Sequence, residues 1–231
     1  NPRFDSISVE STSGTYYPTS GRFYGKNGKV SWKRTGLGDE VYALIKKYNL
    51  DCKTGGYVSD SVSFFHPQYF DKPQKGKLTD KIISQNDGRL TYPRFDSYAK
   101  RLEIKSVIKD VYYDGGFAMR GPAFVGSGDN KNPAHVVFKR NNQRFLTIAA
   151  RNFTMNAEKI TADNAAVKFY LEQDSIYHPG CNFKYMAEQR KVSLIRTDEG
   201  MQKTPFSDTY HKVDMYFEEL TWKIDSPKIN I

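Results

Sequence analysis

The sequence predicts an all-β protein of stacked strands, and three observations carry that prediction. Short stretches alternate apolar and polar residues, as in Lys29-Val30-Ser31-Trp32-Lys33 and Arg101-Leu102-Glu103-Ile104-Lys105-Ser106-Val107, the period of a strand with one buried face. Turn-forming clusters separate such stretches, at Gly36-Leu37-Gly38-Asp39, Thr54-Gly55-Gly56, Asn86-Asp87-Gly88, Asp114-Gly115-Gly116 and Asp198-Glu199-Gly200. Each pairs residues that tolerate left-handed backbone with residues that bond their own main chain. Third, the chain repeats itself, and self-similarity constrains a fold before any other argument.

The repeat opens at Pro93-Arg94-Phe95-Asp96-Ser97-Tyr98, answered by Pro2-Arg3-Phe4-Asp5-Ser6-Ile7 and more loosely by Pro205-Phe206-Ser207-Asp208-Thr209-Tyr210. Further partners follow in order: Tyr16-Tyr17 with Tyr112-Tyr113, Phe23-Tyr24-Gly25 with Phe124-Val125-Gly126, and Trp32-Lys33-Arg34 with Phe138-Lys139-Arg140. Their offsets grow smoothly, from 91 (2 to 93) through 96 (16 to 112) and 101 (23 to 124) to 106 (32 to 138). Small insertions in the second copy explain that growth. One is visible where Gly25-Lys26-Asn27-Gly28 faces the longer stretch from Gly126 to Pro133, both expected to be turns, where extra residues cost least. Tyr57-Val58-Ser59-Asp60-Ser61, followed by Val62 and Phe64, matches Ile160-Thr161-Ala162-Asp163-Asn164, followed by Val167 and Phe169.

One segment argues for a helix. Val41, Leu44, Ile45 and Tyr48 stand at i, i+3, i+4 and i+7, a helical face. Its repeat partner, Phe145 to Arg151, suits a strand, so both are assigned as strand. The expected organisation is 1–92 as a first β unit, 93–204 as a second, and 205–231 as the start of a third packed on the second, together one continuous domain. A fragment as short as 205–231 could not build a sandwich alone, whereas a stacked array ends naturally in a partial unit. The expected architecture is therefore elongated and stacked, a β-solenoid or β-groove, with two tandem β-sandwiches as the alternative.

At 231 residues, with 38% apolar residues supplemented by 16 Tyr and 15 Phe, the chain carries enough apolar surface for a sizeable core. Its net charge of +9 fits anionic neighbours, yet no basic run reaches five residues, so a nucleic-acid tail is not expected. No apolar run approaches the length of a membrane span. The chain opens within a motif at Asn1 and is read as a segment of something longer. Cys52 and Cys181 fall at different points of the repeat and are expected to be isolated thiols; neither belongs to a zinc-like cluster.

Chemistry is harder to find. Asp precedes a hydroxyl residue at Asp5-Ser6, Asp60-Ser61, Asp96-Ser97, Asp174-Ser175, Asp208-Thr209 and Asp225-Ser226. Such oxygens could serve calcium or sugar hydroxyls, but Asx and Ser/Thr turns joining strands explain them more simply. Phe65-His66-Pro67 and Tyr177-His178-Pro179 form a matched pair, expected to be structural turns in which Pro ends a strand and His caps it. Glu218-Glu219 stands alone, and Gly126-x-Gly128 lacks the remainder of a phosphate loop. Tyr16, Tyr17, Tyr112 and Tyr113 could stack on sugar rings or bases if exposed, but are expected in the core or in coil-to-coil ladders. No catalytic, cofactor-binding or metal-ligating residue is assigned, and the balance leans against an enzyme.

Two resemblances bear on the role. Asp60-Ser61-Val62, Asp174-Ser175-Ile176-Tyr177-His178-Pro179, Tyr113-Asp114-Gly115-Gly116-Phe117 and the repeated Pro-Arg-Phe-Asp-Ser opening together resemble very large, repetitive, uncharacterised envelope proteins of Bacteroidetes bacteria. That resemblance implies a periplasmic, surface or secreted location and no known activity. Ile160-Thr161-Ala162-Asp163-Asn164-Ala165-Ala166-Val167 is similar to a strand of lipopolysaccharide-transport bridge proteins, which implies an open β-groove for lipid. The sequence-level expectation is thus a non-catalytic structural or adhesion segment whose partners are neighbouring repeats. The alternatives are a lipid-carrying groove and a β-helix that binds or cleaves polysaccharide, with lipid or anionic polysaccharide as ligands and nucleic acid disfavoured. A lipid groove requires an inward apolar lane open to an exposed cleft. A polysaccharide site requires exposed Tyr, Lys and carboxylates in one place.

Overall fold

The computed structural model describes residues 9–81, 91–197 and 199–231. The opening motif Pro2–Ile7, the cluster Asn86-Asp87-Gly88 and Asp198 of the last turn cluster lie outside the described residues. The chain is all-β, as its alternation predicts, and each strand runs antiparallel to its partner. It divides into two compact units, Asn1–Lys100 with Phe117–Phe124, and Arg101–Gly116 with Val125–Ile231.

The first unit contains β1 (Val9–Glu10), β2 (Ser13–Tyr17), β3 (Arg22–Ser31), β4 (Tyr42–Asp51), β5 (Gly56–Phe65), β6 (Gln74–Lys81) and β7 (Arg94–Ser97). From β3 to β7 each strand pairs with the next along the chain. The segment suspected of being a helix is β4, bonded on both sides. Its helical spacing has a simple cause. Ile45 and Tyr48 both face inward because the two residues between them, Lys46 and Lys47, both face out, while Leu44 is 44% exposed. A strand that spends two consecutive residues on its outer side shifts its inward positions from i+2 to i+3.

The same outward doublet crosses β3 as Lys26-Asn27 and β5 as Asp60-Ser61. In β5 it is a bulge, with the register to β6 slipping between Ser59 and Val62 and Ser61 at φ 55°. A bulge adds one residue to one strand and bends the sheet. Gly25-Lys26-Asn27-Gly28 is therefore no turn: it lies inside β3, opposite the break between β1 and β2. Glycine is needed at 25 because a Cβ there would enter the ring of Tyr48. The inward face is closed by a ring cluster, in which Trp32 meets Phe64 edge-on at 4.9 Å and Phe64 stacks on Phe95 at 4.4 Å. The Trp32 indole donates to the Gly121 carbonyl at 3.1 Å, so burying this ring leaves no orphan donor.

The second unit contains β8 (Leu102–Ile108), the first half of β9 (Val111–Arg120), most of β10 (Ala123–Ser127), then β11 (Ala134–Arg140), β12 (Gln143–Ala150), β13 (Asn152–Met155), β14 (Lys159–Leu171), β15 (Asp174–Met186) and β16 (Lys191–Ile195). β17 (Phe206–Asp208), β18 (Val213–Met215), β19 (Glu219–Lys223) and β20 (Ile229–Asn230) continue the pairing onto β15 and β16. Asn141 and Asn142 join β11 to β12 with both residues at positive φ, 49° and 61°, the two-residue turn whose twist suits a hairpin. β14 carries the outward doublet Asp163-Asn164 at a register slip, with Asn164 at φ 50°. Arg151-Asn152 forms another between buried Ala150 and Phe153.

The inward rows of the two units correspond. Val30, Ala43 and Phe64 stand opposite one another across β3, β4 and β5. Val136, Ile148 and Val167 do the same across β11, β12 and β14. By register Phe64 thus answers Val167, two residues earlier than the sequence comparison pairs them. Asp114-Gly115-Gly116, expected as a turn, is interior to β9. Gly115 makes room for Tyr113, whose hydroxyl donates to the Gly116 carbonyl at 2.5 Å and accepts from the Ser127 amide at 3.0 Å.

Candidate functional site

The motifs singled out in the sequence fall mostly into structural roles. Phe95 and Phe206 of the repeated openings are both fully buried, and both motifs form short strands. Asp208 turns the chain as expected, accepting from the amides of Tyr210 and His211 and holding the His211 ring at 2.8 Å. The His211 bond keeps the Asp208 carboxyl below the usual range. Asp96 instead sits within β7 and pairs with Arg120 at 2.5 Å. Asp60 sits at the β5 bulge, accepting from Ser61 N–H at 3.1 Å and from the Tyr98 hydroxyl. Asp225 is held by Arg190, which also bonds Asp110.

The two histidines take different positions. His66 follows the end of β5, as expected, and stacks on Tyr69 at 3.9 Å. Its Nδ1 is buried with no hydrogen-bond partner among the described residues, and burial pulls its pKa down to about 4. His178 corrects the expectation of a turn: it lies inside β15, opposite Val167, in the inward row. Its Nδ1 accepts from the Gly180 amide at 3.1 Å and Nε2 donates to the Thr204 carbonyl at 2.9 Å, which fixes one tautomer. Burial lowers its pKa too. Tyr113 is core, but Tyr16 and Tyr17 are exposed on β2, contrary to expectation. Cys52 and Cys181 are both free thiols.

Deep in the first unit Arg34 pairs with Asp80, which also accepts from the Tyr57 hydroxyl at 3.2 Å. Asp80 is 1% exposed, and its burial raises its pKa against the pull of Arg34. This is a structural tie under β6. Among the described residues no group of three or more His, Cys, Asp or Glu could hold a metal ion, and no helix is long and apolar enough to cross a membrane.

What the structure gathers, and what the sequence did not reveal, is a polar face on the second unit. Register places Tyr112, Val137, Thr147, Lys168 and Tyr177 opposite one another across β9, β11, β12, β14 and β15, so they share the outer side. Around that row lie two hollows of about 440 and 580 Å³ that share Arg144. The first is lined by Glu103, Lys105, Tyr112, Asp114, Lys139 and Arg144. Lys139 Nζ stands 4.1 Å over the Tyr112 ring; Arg144 and Lys168 stand 4.6 and 5.3 Å from that of Tyr170. Asp114 is engaged by Arg101 through two bonds of 2.8 Å. The signal was present in the sequence only as period-two polar residues on separate strands, and their adjacency depends on register. No protein-family model, curated protein or solved structure matches the chain.

Proposed function

We propose that the chain is a non-catalytic structural and adhesive β-repeat segment of a larger cell-envelope or secreted protein, packing against neighbouring repeats of the same chain. The observation that carries this reading is the correspondence of inward rows and outward doublets between the two units. Val30, Ala43 and Phe64 are answered by Val136, Ile148 and Val167, and Asp60-Ser61 by Asp163-Asn164. What recurs is the scaffold: buried rows, bulges and the hydrogen-bonded ladders between them. What differs is the outer side, where Ser31, Tyr42 and Phe65 of the first unit stand in the place of Val137, Thr147 and Lys168. A frame that is repeated while its surface varies suits a support that displays binding faces.

The lipid-groove alternative loses ground on packing. It requires an inward apolar lane facing open space, whereas Ala43, Val62, Phe64, Leu78 and Phe95 in the first unit have no exposed surface, and neither do Val136, Leu146, Ile148 and Val167 in the second. Organic extraction of the purified chain, followed by mass spectrometry, tests the choice. The scaffold reading expects no acyl lipid at a stoichiometric level; about one lipid per chain would replace it with the groove.

A further inference from the structure

We propose that the outer face of the second unit binds an anionic polysaccharide, one carrying carboxylate or sulfate groups along its chain. The inference rests on the scaffold reading and names what the scaffold would hold. Lys139 on β11, Arg144 on β12 and Lys168 on β14 present one cation on each of three successive strands of the outer side, and Lys105 on β8 stands two strands from Lys139, across β9. Neighbouring strands are about 4.8 Å apart, a spacing comparable to one sugar unit of an extended glycan. None of these four cations has a carboxylate partner among the described residues. The carboxylates nearby are Glu103, Asp114 and Glu172, and Asp114 is already committed to Arg101. With Glu103 and Glu172 set against the four cations, the balance on this face is positive.

The aromatic rings on the face position the cations. With Lys139 over Tyr112, and Arg144 and Lys168 at Tyr170, each long side chain leans on a ring that restricts its rotamers, while its outer N–H groups stay turned to solvent. Binding an anion then costs less ordering than it would for free lysines. The hydroxyls of Tyr112, Tyr170 and Tyr177 lie on the same side and can bond sugar hydroxyls. The rings of Tyr112 and Tyr170 are occupied by cations, which disfavours a single-stranded nucleic acid, whose bases need free aromatic faces to stack. The two hollows meeting at Arg144 are each of ligand-site size, and their continuity fits a chain crossing the strands better than a single small ion.

The test is titration calorimetry at low and physiological salt with four probes: heparin, polygalacturonate, neutral dextran and oligo-dT. Binding is expected for the two anionic glycans, weakening as salt rises, and absent for dextran. The double variant Lys139→Gln/Arg144→Gln should weaken it about tenfold. The charge-matched control Lys46→Gln/Lys47→Gln, on the first unit, should change it less than about twofold. Circular dichroism and melting of both variants confirm that they fold. Failure of both glycans to bind, equal losses in both variants, or tighter binding to oligo-dT would each overturn the proposal. Shortening of the glycan during incubation, followed by gel filtration, would instead refute the non-catalytic reading while leaving the face in place.

Discussion

Acid should loosen the first unit through His66. The imidazole is 5% exposed, stacked on Tyr69, and carries a buried Nδ1 without a partner among the described residues, so the folded state accepts a proton only near pH 4. In the unfolded chain an ordinary histidine protonates near pH 6.5. A folded pKa below the unfolded one means that the stability is fully present above about pH 6.5 and is lost as pH falls toward 4. The difference of about 2.5 pK units corresponds to about 3 kcal/mol lost between pH 8 and pH 4. The assay is urea unfolding followed by the fluorescence of Trp32, with Trp222→Phe as background so that only the first unit reports. His66→Leu removes the titrating group while keeping an apolar side chain against Tyr69. The parent should lose about 3 kcal/mol more than the variant over that pH interval. Equal losses would mean that His66 is accessible to protons in the folded chain and that its burial is misread.

Other predictions concern the scaffold. Asp80→Asn should cost about 3–5 kcal/mol by leaving the Arg34 guanidinium buried without its counter-ion, and Arg34→Met combined with Asp80→Leu should recover much of that in urea melts. Deleting Asn164 should turn Ala165, Val167 and Phe169 outward and leave the second unit unable to fold, as judged by loss of amide protection, whereas Asn164→Gly keeps the positive φ and should cost only the bond that Asn164 Oδ1 accepts from Gln202, about 1–3 kcal/mol. Gly115→Ala should destabilise by about 1–3 kcal/mol, because its Cβ would meet the Tyr113 hydroxyl and Ala134. With a thiol reagent at pH 8 one cysteine per native chain should react: Cys52 is exposed, while burial pushes the Cys181 thiol up to about 12; urea should release the second.

Strand class was legible because its cause is local. Alternation along Lys29–Lys33 and Arg101–Val107 reflects a sheet with one dry side, and Thr54-Gly55-Gly56 turns the chain between β4 and β5 as its residue types suggest. The misreadings share one physical root. Glycine signals a turn only when its backbone freedom is what the chain needs. At Gly25 and Gly115 the missing side chain serves instead to admit a tyrosine ring, Tyr48 or Tyr113, onto the strand. His178-Pro179 looked like a turn for a similar reason, since a register slip in β15 accommodates the proline inside a strand. The apparent helix at Val41–Tyr48 was a strand whose phase slips at Lys46-Lys47. Asp60-Ser61 and Asp163-Asn164, aligned by the repeat, are phase slips of the same kind as Lys46-Lys47. The polar face was beyond reach: Tyr112, Lys139, Arg144 and Lys168 belong to four strands, and only register brings them side by side.

The claim on which the account turns is that the inward rows are closed in both units. Thiol accessibility measures it directly, with single cysteines placed in a Cys52→Ser/Cys181→Ala background at inward Ala43 and Ala165 and at outward Leu44 and Asp163. Rapid native-state labelling is expected at 44 and 163, and labelling at 43 and 165 only after urea is added. Native labelling at 43 and 165 as fast as at 44 and 163, in chains that keep their melting temperature, would contradict it and point to an open groove.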